Sequence, residues 1–322
     1  AITAAFLAVA RKDDEGALDL VLEALEEFDG RRGLEELWFA RACAPRSTER
    51  AEAYERALAI CPGHVHSLMA RAQLRMGAGD WTAATADLDL AARLQPRVAM
   101  HHHSLGAVSN LAKDFSKALE HFDRAIAIEP TNAAYLNNRA IARELSGDLS
   151  GAFDDYAASF AQDPAYREAQ LGKARILHQR KLDDDALSEL AAVLQDSPNW
   201  DRALRLRAEI ETARGDTVRA GATLDEAIRA EPNDVVLHSE RVNNAMAQKD
   251  WRRALEGLEE LIRLGQRTAD VRQVRAQCLE HRGDLAGAIA DLEEALRLGP
   301  EGAKRTRIEK DLERLRARLD GR

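Results

Sequence analysis

Apolar, small and polar positions recur along this chain every 34 residues. The column Leu88, Phe122, Tyr156, Leu190, Leu224, Leu258 and Leu292 is large and apolar throughout. Four residues earlier, Ala84, Ala118, Ala152, Ala186, Ala220, Ala254 and Ala288 are all alanine. A third column, Ala72, Gly106, Ala140, Ala174, Ala208, Val242 and Ala276, stays small, as do most of Ala91, Ala125, Ser159, Val193, Ala227, Leu261 and Ala295. Prolines stand at Pro62, Pro96, Pro130, Pro164, Pro198, Pro232 and Pro300, with Gln266 where one more would fall. Each step therefore predicts two helices joined by a tight turn, ended by a residue that lacks an amide donor. Small columns mark close helix crossings, and the large column fills the space between neighbouring steps.

The turns carry their own signal. Gly79-Asp80, Gly147-Asp148, Gly215-Asp216 and Gly283-Asp284 pair a residue suited to the left-handed conformation with a helix cap. Lys113-Asp114 and Lys249-Asp250 keep the cap without the glycine; at Lys181-Leu182 the expected substitute cap is Asp183. No single step can bury its apolar face alone, so stability must come from contacts between neighbours. The architecture expected is an all-α solenoid, not a pair of globular domains.

The step length, the small-small-large pattern and the closing proline resemble the tetratricopeptide repeat (TPR) family, over nearly the whole chain. The resemblance implies a right-handed α-solenoid. Regular units are expected at 65–98, 99–132, 133–166, 167–200, 201–234, 235–268 and 269–302. Residues 31–64 read as an atypical unit, with Pro45 in its turn and Arg50 in the alanine column; 1–30 read as a degenerate one. Segment 303–322 reads as a capping helix with an apolar stripe of Ile308, Leu312, Leu315 and Leu319.

In this family the first helices line a concave groove that holds a protein or peptide partner. The positions carried over to that face are His66, Met69, Gln73, Met76, Met100, His103, Asn110, Asn137, Asn138, Arg175, His178, Arg202, Arg205, Asn243 and Met246, with His281 in the same set. Methionine adapts to varied apolar partners, and Asn and His offer hydrogen bonds to a peptide backbone. From His66 to Asn138 this face is nearly uncharged. Arg175, Arg202 and Arg205 would meet a carboxylate or acidic stretch, and Asp270 and Glu280 make the far end acidic. The lysines of a carboxylate-gripping set are missing: Met69, His103 and Leu171 stand in their place. An asparagine ladder is missing too, since Asn138 is flanked in its column by Ser104, Gly172, Leu206 and Glu240.

Composition narrows the function. The 322 residues carry a formal charge of -9, so the basic footprint of a nucleic-acid binder is lacking. No apolar run is long enough to span a bilayer, so no membrane insertion is expected. The apolar opening, Ala1–Ala10, reads as helix. The three cysteines, Cys43, Cys61 and Cys278, form no close pair, which fits a reducing compartment and points to the cytoplasm while leaving export open. His101-His102-His103 cannot converge on one ion, because successive helical side chains diverge. Asp183-Asp184-Asp185 lacks the alternation and glycine of a calcium loop. Phosphate-loop, nucleophile-elbow and zinc-protease motifs are absent from the sequence. The expectation is a non-enzymatic scaffold without cofactor. The alternative is the regulatory arm of a larger enzyme or sensor, which the Ala1 start allows. The exposed end units are candidates for self-association.

Overall fold

The computed structural model of the protein describes Trp38, Phe39 and residues 50–321. The expected degenerate unit at 1–30, the Pro45 turn and Cys43 lie outside the described residues. Between 50 and 321 run sixteen α-helices, and no strand occurs among the described residues. In chain order they are α1 (Arg50–Ile60), α2 (Val65–Gly77), α3 (Trp81–Leu94), α4 (Ala99–Leu111), α5 (Phe115–Ile128), α6 (Ala133–Ser146), α7 (Leu149–Gln162) and α8 (Arg167–Gln179). Then follow α9 (Asp183–Asp196), α10 (Asp201–Ala213), α11 (Thr217–Ala230), α12 (Val235–Ala247), α13 (Trp251–Arg263), α14 (Ala269–His281), α15 (Leu285–Arg297) and α16 (Gly302–Leu319). Two compact units divide between Lys173 and Ala174, inside α8, and each is described by itself.

Successive helices pack on one another in sequence order from α1 to α7 and again from α9 to α16. The alanine column is sealed: Ala84, Ala118, Ala152, Ala186, Ala220, Ala254 and Ala288 are all 0% exposed. The large column beside it is buried as well, and each such side chain contributes about 1.5–3 kcal/mol. A Cβ on Gly106 would sit 2.6 Å from the Phe122 ring, and one on Gly172 2.4 Å from the Tyr156 ring. At those two points the aromatic rings lie on bare backbone, which is why the positions hold glycine.

Among the described residues every turn between paired helices holds one left-handed residue, and its identity alternates. Gly79, Gly147, Gly215 and Gly283 have φ of 79°, 91°, 78° and 85°; Lys113, Lys181 and Lys249, between them, have 62°, 65° and 57°. The lysines pay the steric cost that glycine avoids. Six of the seven following residues cap the next helix: Asp80, Asp114, Asp148, Asp216, Asp250 and Asp284 each accept from the amide three residues on, at 2.9–3.2 Å. The seventh departs from the sequence reading. Leu182 is the cap residue of α9 and supplies no side-chain bond. Asp183, expected to substitute, instead meets His178 Nδ1 at 2.7 Å, because it already lies within the first turn.

Buried carboxylates bind paired helices together. Asp87 accepts from Arg71 and Arg75, Asp155 from Arg139 and Arg143, and Asp291 from Arg272 and Arg275, at 2.5–2.9 Å. At the C-terminal end α16 buries Ile308, Leu312 and Leu315 against Ala276, Ala288, Leu292 and Ala295. Leu319, expected on the same stripe, is 54% exposed because the helix overruns its support there.

The first unit also holds three packed histidines outside the expected groove. His101 Nε2 lies 3.2 Å from Gln95 Oε1, and His102 stacks on His121 with ring centroids 6.1 Å apart. Burial lowers the pKa of all three below the ordinary 6.5, and the Arg124 charge lowers His102 and His121 further.

Two outcomes follow from these features. Lys113→Gly, Lys181→Gly and Lys249→Gly should each raise stability by roughly 0.5–1 kcal/mol in urea melts, and Gly147→Ala should lower it by a similar amount. Nothing lies within 4 Å of a Cβ at Gly147, so that loss is purely conformational. The histidines set a pH dependence. Their folded pKa values lie below the unfolded one, so the unfolded chain binds protons first as pH falls. Stability should therefore be full above pH 6.5, decline below it, and level off once the lowered folded values are passed. Melts from pH 8 to pH 5, with His102→Gln and His121→Gln flattening the decline, check this.

Candidate functional site

In the first unit α2 and α4 lie side by side and enclose a pocket of about 410 Å³. Helical spacing builds it: His66, Met69, Gln73 and Met76 come from successive turns of α2, and Met100, His103 and Ser104 from α4. Ala72 and Leu88 form its buried floor. Met69 and Met76 are half-buried and also pack on the core around Ala72, Leu105 and Val108, while Met100 is 49% exposed. The lining holds no charged side chain. Six of the residues expected from the sequence thus come together at one place.

The wall of the pocket continues onto α6. Asn138 Nδ2 lies 2.6 Å from His103 Nε2, and the His103 ring stacks on Tyr135 with centroids 4.8 Å apart. Desolvation lowers the His103 pKa. Asn137 departs from expectation: it is buried rather than presented to a partner, because its position on α6 turns inward. Its Nδ2 donates to Asn138 Oδ1 at 3.5 Å, while its Oδ1 is buried without a hydrogen-bond partner among the described residues. Asn110 is half-buried and lies outside the pocket lining.

The second unit has a different inner face. Arg205 and Asn243 line a pocket of about 450 Å³ together with Leu224, Glu209 and Glu240. Arg205 pairs with Asp234, so it does not stand as an unmatched cation for an acidic partner. Burial raises the Glu240 pKa; Arg205 opposes that rise and Glu209 adds to it. Arg175 is half-buried, Arg202 is exposed, and neither lines this pocket. His178 is engaged by Asp183, Met246 packs on the Val242 and Leu258 core, and His281 stacks on Trp251 at 4.1 Å. The acids expected at the far end are also matched. Glu280 accepts from Arg314 and Arg318, with its pKa lowered first by the Arg314 bond, and Asp270 meets Lys304 at 2.5 Å.

A larger cavity, about 770 Å³, was not signalled by the sequence columns. It lies between α11 and α13, and its walls carry ion pairs: Arg241 with Asp225 and Arg263 with Glu260, each at 2.5 Å. Among the described residues no three His, Cys, Asp or Glu side chains are grouped to hold a metal. His101, His102 and His103 turn to Gln95, His121 and Asn138 respectively. Burial pushes the Cys278 thiol up to about 11, far from a thiolate nucleophile. No described helix is long and apolar enough to cross a membrane.

Family models described as "Tetratricopeptide repeat" match residues 69–133 and 112–164, 145–210, and 243–318. No curated protein sequence matches the chain. Among solved structures, a tetratricopeptide repeat protein from Parabacteroides merdae is 20% identical, with 78% of this chain and 98% of that one covered and a TM-score of 0.52. Yeast Tom70 is 16% identical with a TM-score of 0.55; the match covers 91% of this chain and 66% of Tom70. The C-terminal part of a TPR repeat-containing protein from Cytophaga hutchinsonii is 12% identical, with 74% and 98% covered and a TM-score of 0.61. At these identities the likeness is one of fold. With the repeat matches running through both units and the left-handed turn recurring at every step, the chain belongs to the tetratricopeptide repeat family.

Proposed function

We propose that this chain is a non-catalytic scaffold that holds a protein or peptide partner, and that the α2–α4 pocket of the first unit grips an uncharged part of that partner. One observation carries the reading: Met69, Met76 and Met100 surround an open recess with an apolar floor and no charged lining. Exposed apolar recesses of this kind mark binding sites, and flexible thioethers adapt to the side chain that enters. Polar groups on the rim, Gln73, His103 and Ser104, supply hydrogen bonds to an extended backbone. The matched charges elsewhere fit a structural role.

The test uses two exposed rim positions, so that the fold is spared. Peptides selected against the wild-type chain from a random display library are labelled and titrated by fluorescence anisotropy. Met100→Glu with Gln73→Glu should weaken binding at least about tenfold, since a carboxylate must then be desolvated, with the circular dichroism spectrum unchanged. Selected peptides that bind the double variant as tightly as the wild type would remove the pocket from the reading.

A further inference from the structure

The second unit carries the recess of the first again, with a different rim. The α10–α12 pocket stands four steps of 34 residues beyond the α2–α4 pocket, and the two correspond column by column. The floor is retained. Ala208 and Leu224 occupy the columns of Ala72 and Leu88, and none of the four is more than 2% exposed. The rim is rewritten: Glu209 stands in the column of Gln73, Glu240 in that of Ser104 and Thr212 in that of Met76. Stacking needs only the small and large columns, so the recess recurs while its rim is free to vary.

Charge at this second rim is not balanced from within. Arg205, in the column of Met69, meets Asp234. Glu209 and Glu240 are exposed, and neither forms a hydrogen bond or ion pair among the described residues. An ionised carboxylate only accepts hydrogen bonds, so both rim acids need a donor whichever way they turn. Desolvation raises the Glu240 pKa; Arg205 opposes the rise and Glu209 adds to it. With Arg205 and Asp234 paired, the rim keeps both carboxylates unmatched above an apolar floor.

We propose that the α10–α12 recess is a second docking site, which takes a lysine or arginine side chain of a protein partner, its stem on Leu224 and Ala208 and its cationic head between Glu209 and Glu240. This rests on the scaffold function proposed above but not on the α2–α4 pocket. Charge complementarity decides the occupant. An acidic side chain would meet two like charges, and Leu or Phe would cover both carboxylates without offering a donor to either. A long basic side chain suits both halves of the recess, because its stem is apolar and its head is charged. The sequence points the other way, since Arg205 is the visible cation there; Asp234 withdraws it. Charges on an exposed rim govern which partner is accepted more than how tightly it is held. Glu209 and Glu240 are therefore specificity-determining residues of this recess.

The probe is Nα-acetyl-arginine N-methylamide, titrated into the full chain at pH 7.5 and low salt, and followed by the Leu224 methyl and Asn243 side-chain amide signals. It should shift both. Nα-acetyl-citrulline N-methylamide has the same length without the charge, and should bind at least about fivefold more weakly. Glu209→Gln with Glu240→Gln keeps the size of both side chains, and should reduce arginine affinity roughly three- to tenfold with the circular dichroism spectrum unchanged. The Met100→Glu, Gln73→Glu variant should match the wild type in this titration, whatever becomes of its peptide binding, so the two recesses are judged separately. Equal binding of the arginine and citrulline probes, or arginine affinity unchanged in the Gln double variant, would overturn the inference and leave the α2–α4 pocket standing. A Leu224 methyl indifferent to the arginine probe would overturn it as well.

Discussion

Everything in this fold depends on how closely paired helices approach at the alanine column. Those seven methyl groups are fully sealed, and at Gly106 and Gly172 even a methyl group is excluded by an aromatic ring. Close approach lets the large side chain of each step reach across to the next, so burial is shared between neighbours rather than gathered in one centre. The left-handed residue at each turn is the local cost of the same geometry. It closes the first helix sharply enough for the second to lie along it, and the chain accepts a lysine there three times.

Charge is arranged around that packing in a way that leaves one face bare. Asp87, Asp155 and Asp291 are each held by two arginines from the facing helix. Such pairs return little net stability against an apolar substitute, but losing one partner leaves an expensive buried charge. They therefore fix which faces meet. In the first unit the pocket side carries methionine, histidine and amide groups instead. In the second unit the corresponding arginine is matched by Asp234, and α16 covers Glu280. The open, uncharged recess between α2 and α4 is thus a property of particular residues, not of the repeat.

The repeat was legible because its signals are local and periodic. Proline, alanine and large apolar columns fixed the helices, and the Gly-Asp pairs fixed the turns. The six pocket residues followed, since helical spacing alone decides which side chains share a face. What escaped was pairing. Asp183 stands where the sequence places a cap, but it meets His178; Asn137 stands in a column expected to face outward, yet it is buried; the stack of His281 on Trp251 has no signal in the columns. Arg205 meets a partner 29 residues away that no column signals, and Leu319, on the expected stripe, is left exposed. A column gives a side chain's direction to within a helical face. It does not say which neighbour across the interface reaches it first. The Arg–Asp clamps had a visible signal, an Arg sixteen residues before an Asp at 71, 139 and 275, which only a search for charge at the repeat spacing finds.

Site-resolved amide hydrogen exchange on Gly106→Leu tests the central claim, that stability resides in close contacts between neighbouring helices. The substitution drives a side chain into the Phe122 ring between α4 and α5. Exchange should accelerate most in α4 and α5, less in α3 and α6, and leave α14, α15 and α16 as protected as in the wild type. Uniform acceleration through all sixteen helices would mean a single shared core, and would contradict the account, as would no acceleration at all.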